Sequence, residues 1–386
     1  MPALLTALQF FFALTWIVYV IYLPSLAAEA GIDRRHVPAI LMMDQVVFIA
    51  CDWAAGVYAD RLARIFGRIG DRLAAVTLVS CGAFIAMPWV APAAGAGAFL
   101  ATTLIWSATS SALRAPPLVL ASRHAPASQQ PWLAALFLLG MGIASALAPY
   151  LGLNLKALKP HLPFAVASVG LAIFAMVLAR AERHLEASAP ADEIPGRHAS
   201  FGVLALFCLA MLLFGLGFQV HFAINSAPAY QRLVPASELP YLMPVFWIGF
   251  NLAILPAAML PKRFGGMFVL AIGGAAGVAA LFACSRAASI ETLVAANLVA
   301  GAAWSVALMA AFTAALEVGR SGREGLVTGM LFSVLAGAAL ARIFAAWMGF
   351  PANPGFAGVL GDLPFGAWAA ASLIIAILAM KQGRSR

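Results

Sequence analysis

Charge is scarce in this chain. Lys, Arg, Asp and Glu make up 10% of its 386 residues, where a soluble domain carries about a quarter. So few polar side chains cannot cover an aqueous surface, which excludes an ordinary soluble globular protein. Cysteine is nearly absent: Cys51, Cys81, Cys208 and Cys284 all fall inside apolar stretches, so a disulfide framework is not expected. Polar–apolar alternation is missing from runs such as "LAAVTLVSCGAFIAMPWVA", which excludes a transmembrane barrel. The common catalytic motifs are missing too. There is no Gly-x-x-x-x-Gly-Lys-Ser/Thr phosphate loop, no His-Glu-x-x-His and no Gly-x-Ser-x-Gly, so neither ATP hydrolysis by that route nor those hydrolase mechanisms are available. The chain reads as not an enzyme, with no cofactor and no metal.

What it has instead is apolar length. Hydrophobic residues make up 63% of the chain, and mean hydropathy is +0.95. Runs of about 18 to 25 such residues recur from end to end, enough to cross a hydrocarbon core of about 30 Å at about 1.5 Å per residue. Only helices can do this here, because lipid offers backbone groups no partner. Twelve spans are expected, at 4–27, 37–58, 73–91, 96–120, 132–153, 162–180, 201–225, 240–260, 266–285, 290–316, 325–349 and 364–381. Ala28-Glu29-Ala30 looks like a signal-peptide cleavage site, but no Lys or Arg precedes it and the apolar core is too long. The first run is therefore a span.

Basic residues orient the spans. With the N-terminus inside, inner segments hold 15 of the 23 Lys and Arg residues and outer loops 6, with Arg114 and Arg342 inside spans. Both termini are thus expected to be cytoplasmic. The net charge of +8 is that of loops facing anionic lipid, and no nucleic-acid partner is needed to explain it. The longest polar stretch, "RAERHLEASAPADEIPGRHAS" (180–200), is mixed in charge and broken by Pro190, Pro195 and Gly196. It reads as a cytoplasmic linker at 181–200 between a six-helix unit at 1–180 and another at 201–386. Two such halves rocking about a midplane site are a known transporter arrangement.

At the inner end of the second span stands "GVYADRLAR" (56–64). It resembles the Gly-x-x-x-Asp-Arg-x-Gly-Arg signature of the major facilitator superfamily, with Ala63 in place of the second glycine. "EVGRSGREGLVTG" (317–329) is similar to that family's acidic–Arg–Gly passage between spans ten and eleven. "ALAPYLG" (146–152) looks like its antiporter motif, although Ala148 stands where a glycine belongs, and span four lacks the early arginine of many proton-coupled members. The resemblance implies an all-α membrane protein of twelve helices in two six-helix bundles, pseudo-two-fold related, working as a monomer. It also implies a cytoplasmic latch of Gly56, Asp60, Arg61 and Arg64, with Asp60 near the start of span eleven at Gly325.

Charges deep in spans point to function, because each costs at least about 2.5–3.5 kcal/mol to insert. They are Asp44 and Asp52 in span two, Arg114 in span four and Arg342 in span eleven. Burial favours the neutral form of a carboxylate, which makes Asp52 and Asp44 the proton-coupling candidates; permanent structural pairing is the alternative. Asp44 and Arg342 each lie seven residues from the expected outer end of their spans. Equal depth, and the side-by-side placement of spans two and eleven that the resemblance implies, suggest an inter-bundle charge pair in at least one state; the alternative is Arg342 extending to the outer interface with Asp44 facing water in the cavity. Tyr19, Arg114, Trp247, Asn251 and Trp304 are cavity-lining candidates, and His221, near the outer end of span seven, is expected to be an interfacial group, with polar lining as the alternative. The expected function is secondary transport of small organic or amphipathic solutes in a bacterial-type inner membrane, by proton-coupled export. Uptake, or a non-transporting sensor or assembly factor on the same scaffold, are the alternatives.

Overall fold

The computed structural model describes residues 2–66, 69–184, 200–319 and 322–383, and nearly all of them are helical. Eleven helical segments are long and apolar enough to cross a membrane. The longest, Gly70–Ser122, has 53 residues and would run to about 80 Å if straight, far more than one crossing needs. It breaks at Gly95, whose φ of +74° and ψ of −177° are open to glycine but not to a residue with a Cβ. Phe84 and Trp106, each eleven residues from that glycine, have ring centroids 5.1 Å apart. The chain therefore doubles back there, and twelve crossings result.

These are α1 (Pro2–Glu29), α2 (Val37–Phe66), α3 (70–94), α4 (96–123), α5 (Gln130–Asn154), α6 (His161–Arg183), α7 (Phe201–Val220, continued to Gln231), α8 (Pro244–Ala257), α9 (Gly266–Arg286), α10 (Ile290–Gly319), α11 (Glu324–Trp347) and α12 (Pro354–Gly383). Two ends differ from expectation. α2 runs on to Phe66 because its last two turns, although charged, contain no helix breaker. α12 starts at Pro354, not near 364, because "PGFAGVLGDL" has no residue that stops a helix. Its three glycines only lower propensity, and Pro364 is carried inside the helix. Of the expected linker, 185–199 lies outside the described residues.

Small residues set the closest contacts, as expected where lipid removes the hydrophobic drive between helices. α1 lies against α5 and α6, the α3–α4 hairpin against α6, α9 against α10 and α12, and α7 against α11 and α12. Two seams join helices of the first half to helices of the second: α2 with α11, and α5 with α8. At the first, a Cβ on Gly56 would stand 2.0 Å from the Gly325 carbonyl oxygen, so the two backbones touch with no side chain between them. Two buried apolar clusters lie wholly within residues 5–178, and a third runs from Leu118 to Leu378.

Candidate functional site

α4 is broken where its charge sits. Pro116 and Pro117 remove two backbone donors and cannot extend a helix backwards without strain. Upstream, Ser110 turns its hydroxyl onto the Ser107 carbonyl at 2.9 Å, a bond that competes with the helix ladder. The result is a tight 3-10 turn at Ser111–Leu113 followed by Arg114 at φ −100°, ψ −82°. Leaving the helical path lets Arg114 swing toward α2. Its guanidinium donates to Asp52 Oδ2 at 2.7 Å and lies over the Phe48 ring, 3.8 Å from the centroid.

Asp44, Phe48 and Asp52 are spaced by four and so share one face of α2. Asp52 is fully buried, and its Oδ1 has no hydrogen-bond partner among the described residues. One turn beyond Phe48, Asp44 is equally buried and is in no salt bridge among the described residues. It accepts hydroxyl bonds from Tyr19 of α1 at 2.8 Å and Ser107 of α4 at 2.6 Å. Trp16, Trp106 and Phe84 close around Tyr19 and its neighbours. Two carboxylates eight residues apart thus sit in different chemistry: one in direct contact with a guanidinium that lies on an aromatic ring, the other hydrogen-bonded by two hydroxyls. Removing one partner of a buried ion pair typically costs about 3–5 kcal/mol, so protonating or vacating Asp52 has large consequences.

The second feature is a clasp where the end of α2 meets the start of α11. Asp60 accepts from the backbone N–H of Gly325 and of Leu326, each at 2.8 Å, at the N-terminus of α11 where orphan donors and the helix dipole favour an anion. Gly56, Gly325 and Gly329 admit the approach. Arg61 is exposed, and the Arg64 side chain lies outside the described residues. α2 and α11 are thus in direct backbone contact here.

Other expected positions are not brought together. Asp44 and Arg342 are not paired. Ser333 of α11 donates to the Ile49 carbonyl at 2.8 Å, and continuing that antiparallel register puts Asp44 level with Ala338. Arg342 lies four residues further, about 6 Å away along the axis. Counting from loop ends gave equal depths because it ignored how the helices are offset. Arg342 instead donates to Gln219 Oε1 at 3.3 Å. Trp247 and Trp304 are buried in an aromatic cluster of the second half, Trp304 stacked on Phe218 at 4.7 Å. Asn251 turns its Oδ1 toward Gly142 of α5 at the α5–α8 seam. His221 fits the lining reading: it is buried in a widened turn, His221–Asn225, beside a pocket it shares with Asn225, Cys284 and Asn297, with Nε2 3.1 Å from Asn297 Oδ1. A polar ring that finds a buried partner can leave the interface.

Sequence reasoning missed Ser107, Gln9 and Glu182. Gln9 bonds the Leu113 carbonyl at 2.7 Å. Glu182 accepts from the N–H groups of Ile69 and Gly70, at 3.1 and 2.6 Å, capping α3. Only the prolines of α4 hinted that a donor would be needed nearby.

No protein-family profile and no curated protein sequence matches the chain. Solved structures do. The E. coli fucose:proton symporter shares 13% identity over 98% of both chains, with a TM-score of 0.70. A bacterial homologue of the iron transporter ferroportin, in an outward-facing state, shares 11% over 98% of this chain and 99% of its own, at 0.76. The proton:xylose symporter XylE shares 12% over 99% and 94%, at 0.67. The multi-pass fold of this chain is that of the major facilitator superfamily.

Proposed function

We propose that this protein is a proton-coupled secondary transporter of small organic solutes. The Asp52–Arg114 pair at the break in α4 is the observation that carries the reading. A proton on Asp52 abolishes the charge that holds Arg114, and α4 is then free to change its bend. The two halves, 1–180 and 201–386 joined by the linker 181–200, rock about the α2–α11 and α5–α8 seams. Asp60 on the α11 N-terminus latches the cytoplasmic side, and both termini lie on that side of a bacterial-type inner membrane. In such a carrier, closing this latch belongs to the state that opens outward. The low fixed charge of the spans suits neutral or amphipathic solutes, and the chain works as a monomer without nucleic acid. Asp44, held by two hydroxyls, is the second proton-carrying candidate.

The "ALAPYLG" passage of α5 favours export in exchange for protons. The fucose:proton and xylose:proton symporters among the structural relatives favour uptake, and the direction of solute movement under an imposed pH gradient separates the two. The test of coupling uses purified protein in liposomes loaded with a pH-sensitive dye, after a thermal-stability screen has found a stabilising solute. Adding that solute should move protons with the wild type. Asp52→Asn should abolish proton movement and gradient-driven accumulation while leaving solute exchange in part. Full gradient-driven accumulation by Asp52→Asn would remove Asp52 from the mechanism.

A further inference from the structure

The break in α4 has to be held open by something. An unbroken helix would satisfy the Leu113 carbonyl with the N–H of residue 117, but residue 117 is proline and has none. The backbone at Arg114 also leaves the helical path. Leu113 is completely buried, so water cannot supply the missing donor, and an unpaired acceptor there is costly. The donor comes from another helix. Gln9 of α1, itself 3% exposed, extends its Nε2 to the Leu113 oxygen at 2.7 Å. The residue after this carbonyl is Arg114, whose guanidinium must reach 2.7 Å from Asp52.

We infer that Gln9 is a positioning residue: its side-chain amide replaces the donor that Pro117 lacks, holds α4 broken at Leu113–Arg114, and so aims Arg114 at Asp52. Gln9 touches neither charge and acts through one main-chain oxygen. The arrangement also makes α4 an element with two forms. In the broken form Gln9 is engaged; in a straighter form the carbonyl moves and Gln9 lets go. The inference rests on reading Asp52–Arg114 as the coupling pair, but its test needs no solute and no transport.

The experiment compares Gln9→Met, which keeps the length and loses the donor, with Pro117→Ala, which restores an N–H, and with the double variant, all in the full-length protein in detergent. In each background, Asp52→Asn, Arg114→Gln and their combination give the coupling between the two charges from apparent unfolding temperatures. Gln9→Met should shrink that coupling by on the order of tenfold in the pairing equilibrium, the effect of leaving one buried acceptor unpaired. In the Pro117→Ala background the same change should cost little, because the carbonyl then has an in-helix donor. Should Gln9→Met alone not fold, the double variant should.

Three outcomes overturn the inference. One is a Gln9→Met cost that is equal with and without Pro117. A second is destabilisation with the Asp52–Arg114 coupling intact, which would leave Gln9 merely structural. The third is a double variant that folds no better than Gln9→Met. Loss of proton movement has no part in these readings, so a failure of the transport assignment shows separately, in the liposome assay.

Discussion

Neutralising the latch should open the inner side of the protein by an amount the structure lets one work out. In Asp60→Asn one amide oxygen can keep one of the two 2.8 Å bonds to α11, but the amide nitrogen then faces a backbone N–H, donor against donor. A hydrogen bond to a charged group contributes about 1.5–3 kcal/mol, and the interaction of an anion with a helix N-terminus adds about 0.3–1 kcal/mol. Taking about 2 kcal/mol as the net loss, the equilibrium between closed and open inner ends moves about 30-fold. A minor open form at about 1% would rise to about a quarter of the molecules. The change reads out as a distance between spin labels at Tyr58, exposed on α2, and Arg323, exposed just before α11, with the four native cysteines replaced. The wild type should give one short distance and Asp60→Asn a second, longer one carrying about a quarter of the weight. An unchanged single distance would mean that the close backbone packing at Gly56 and Gly325, and not Asp60, keeps this end shut.

The seam itself makes the complementary case. Gly56→Val would push side-chain atoms into the Gly325 carbonyl oxygen, which a Cβ alone would already approach to 2.0 Å. The same label pair should then report mainly the longer distance, and a wild-type distance would show that the seam can yield. For topology, cysteines at Ser188 and Gly383 should be shielded from an impermeant thiol reagent in intact cells, while one at Ser237, exposed in the structure, should react; labelling at 188 from outside would invert the orientation. Asp44 and Arg342 are apart in this conformer, and we propose that they meet when the outer side closes. Each of Asp44→Arg and Arg342→Asp should then impair transport and the double swap restore part of it. A double variant no better than the worse single one disposes of the pair.

Hydropathy made the twelve crossings readable, including the division of the 53-residue apolar segment near Gly95, because insertion into lipid is a matter of length and composition that neighbouring residues largely decide. Asp52, Arg114 and Asp44 could be singled out for the same reason: their types are expensive where they lie. Which of them meet is another question. The meeting of Asp52 with Arg114 depends on a backbone excursion set by two prolines and a glutamine more than a hundred residues away, and no periodicity records that. The offset of α2 against α11 was likewise hidden, since it follows from where glycines allow backbones to touch and not from where the loops begin. Tyr19 reads from sequence as a lining residue; its hydroxyl bond to Asp44 depends on the neighbouring helix α2 and could not be read from α1 alone. The Arg64 side chain and most of the linker lie outside the described residues, and their roles stay with the proposal.

The turn at Gly95 has a mechanical consequence. A connection of several residues would have slack, and either helix could slide without its neighbour noticing. A single glycine has none, so α3 and α4 behave as one stiff hairpin, braced across its width by the contact of Phe84 with Trp106. The hairpin brings the far end of α3 back beside the break in α4: Ile69 and Leu73 line one pocket with Ala112 and Pro116, and Ile69 and Gly70 hang on the Glu182 carboxylate. A change of bend at the buried charge pair therefore meets the capped start of α3 side by side, through direct packing and not through the length of the two helices.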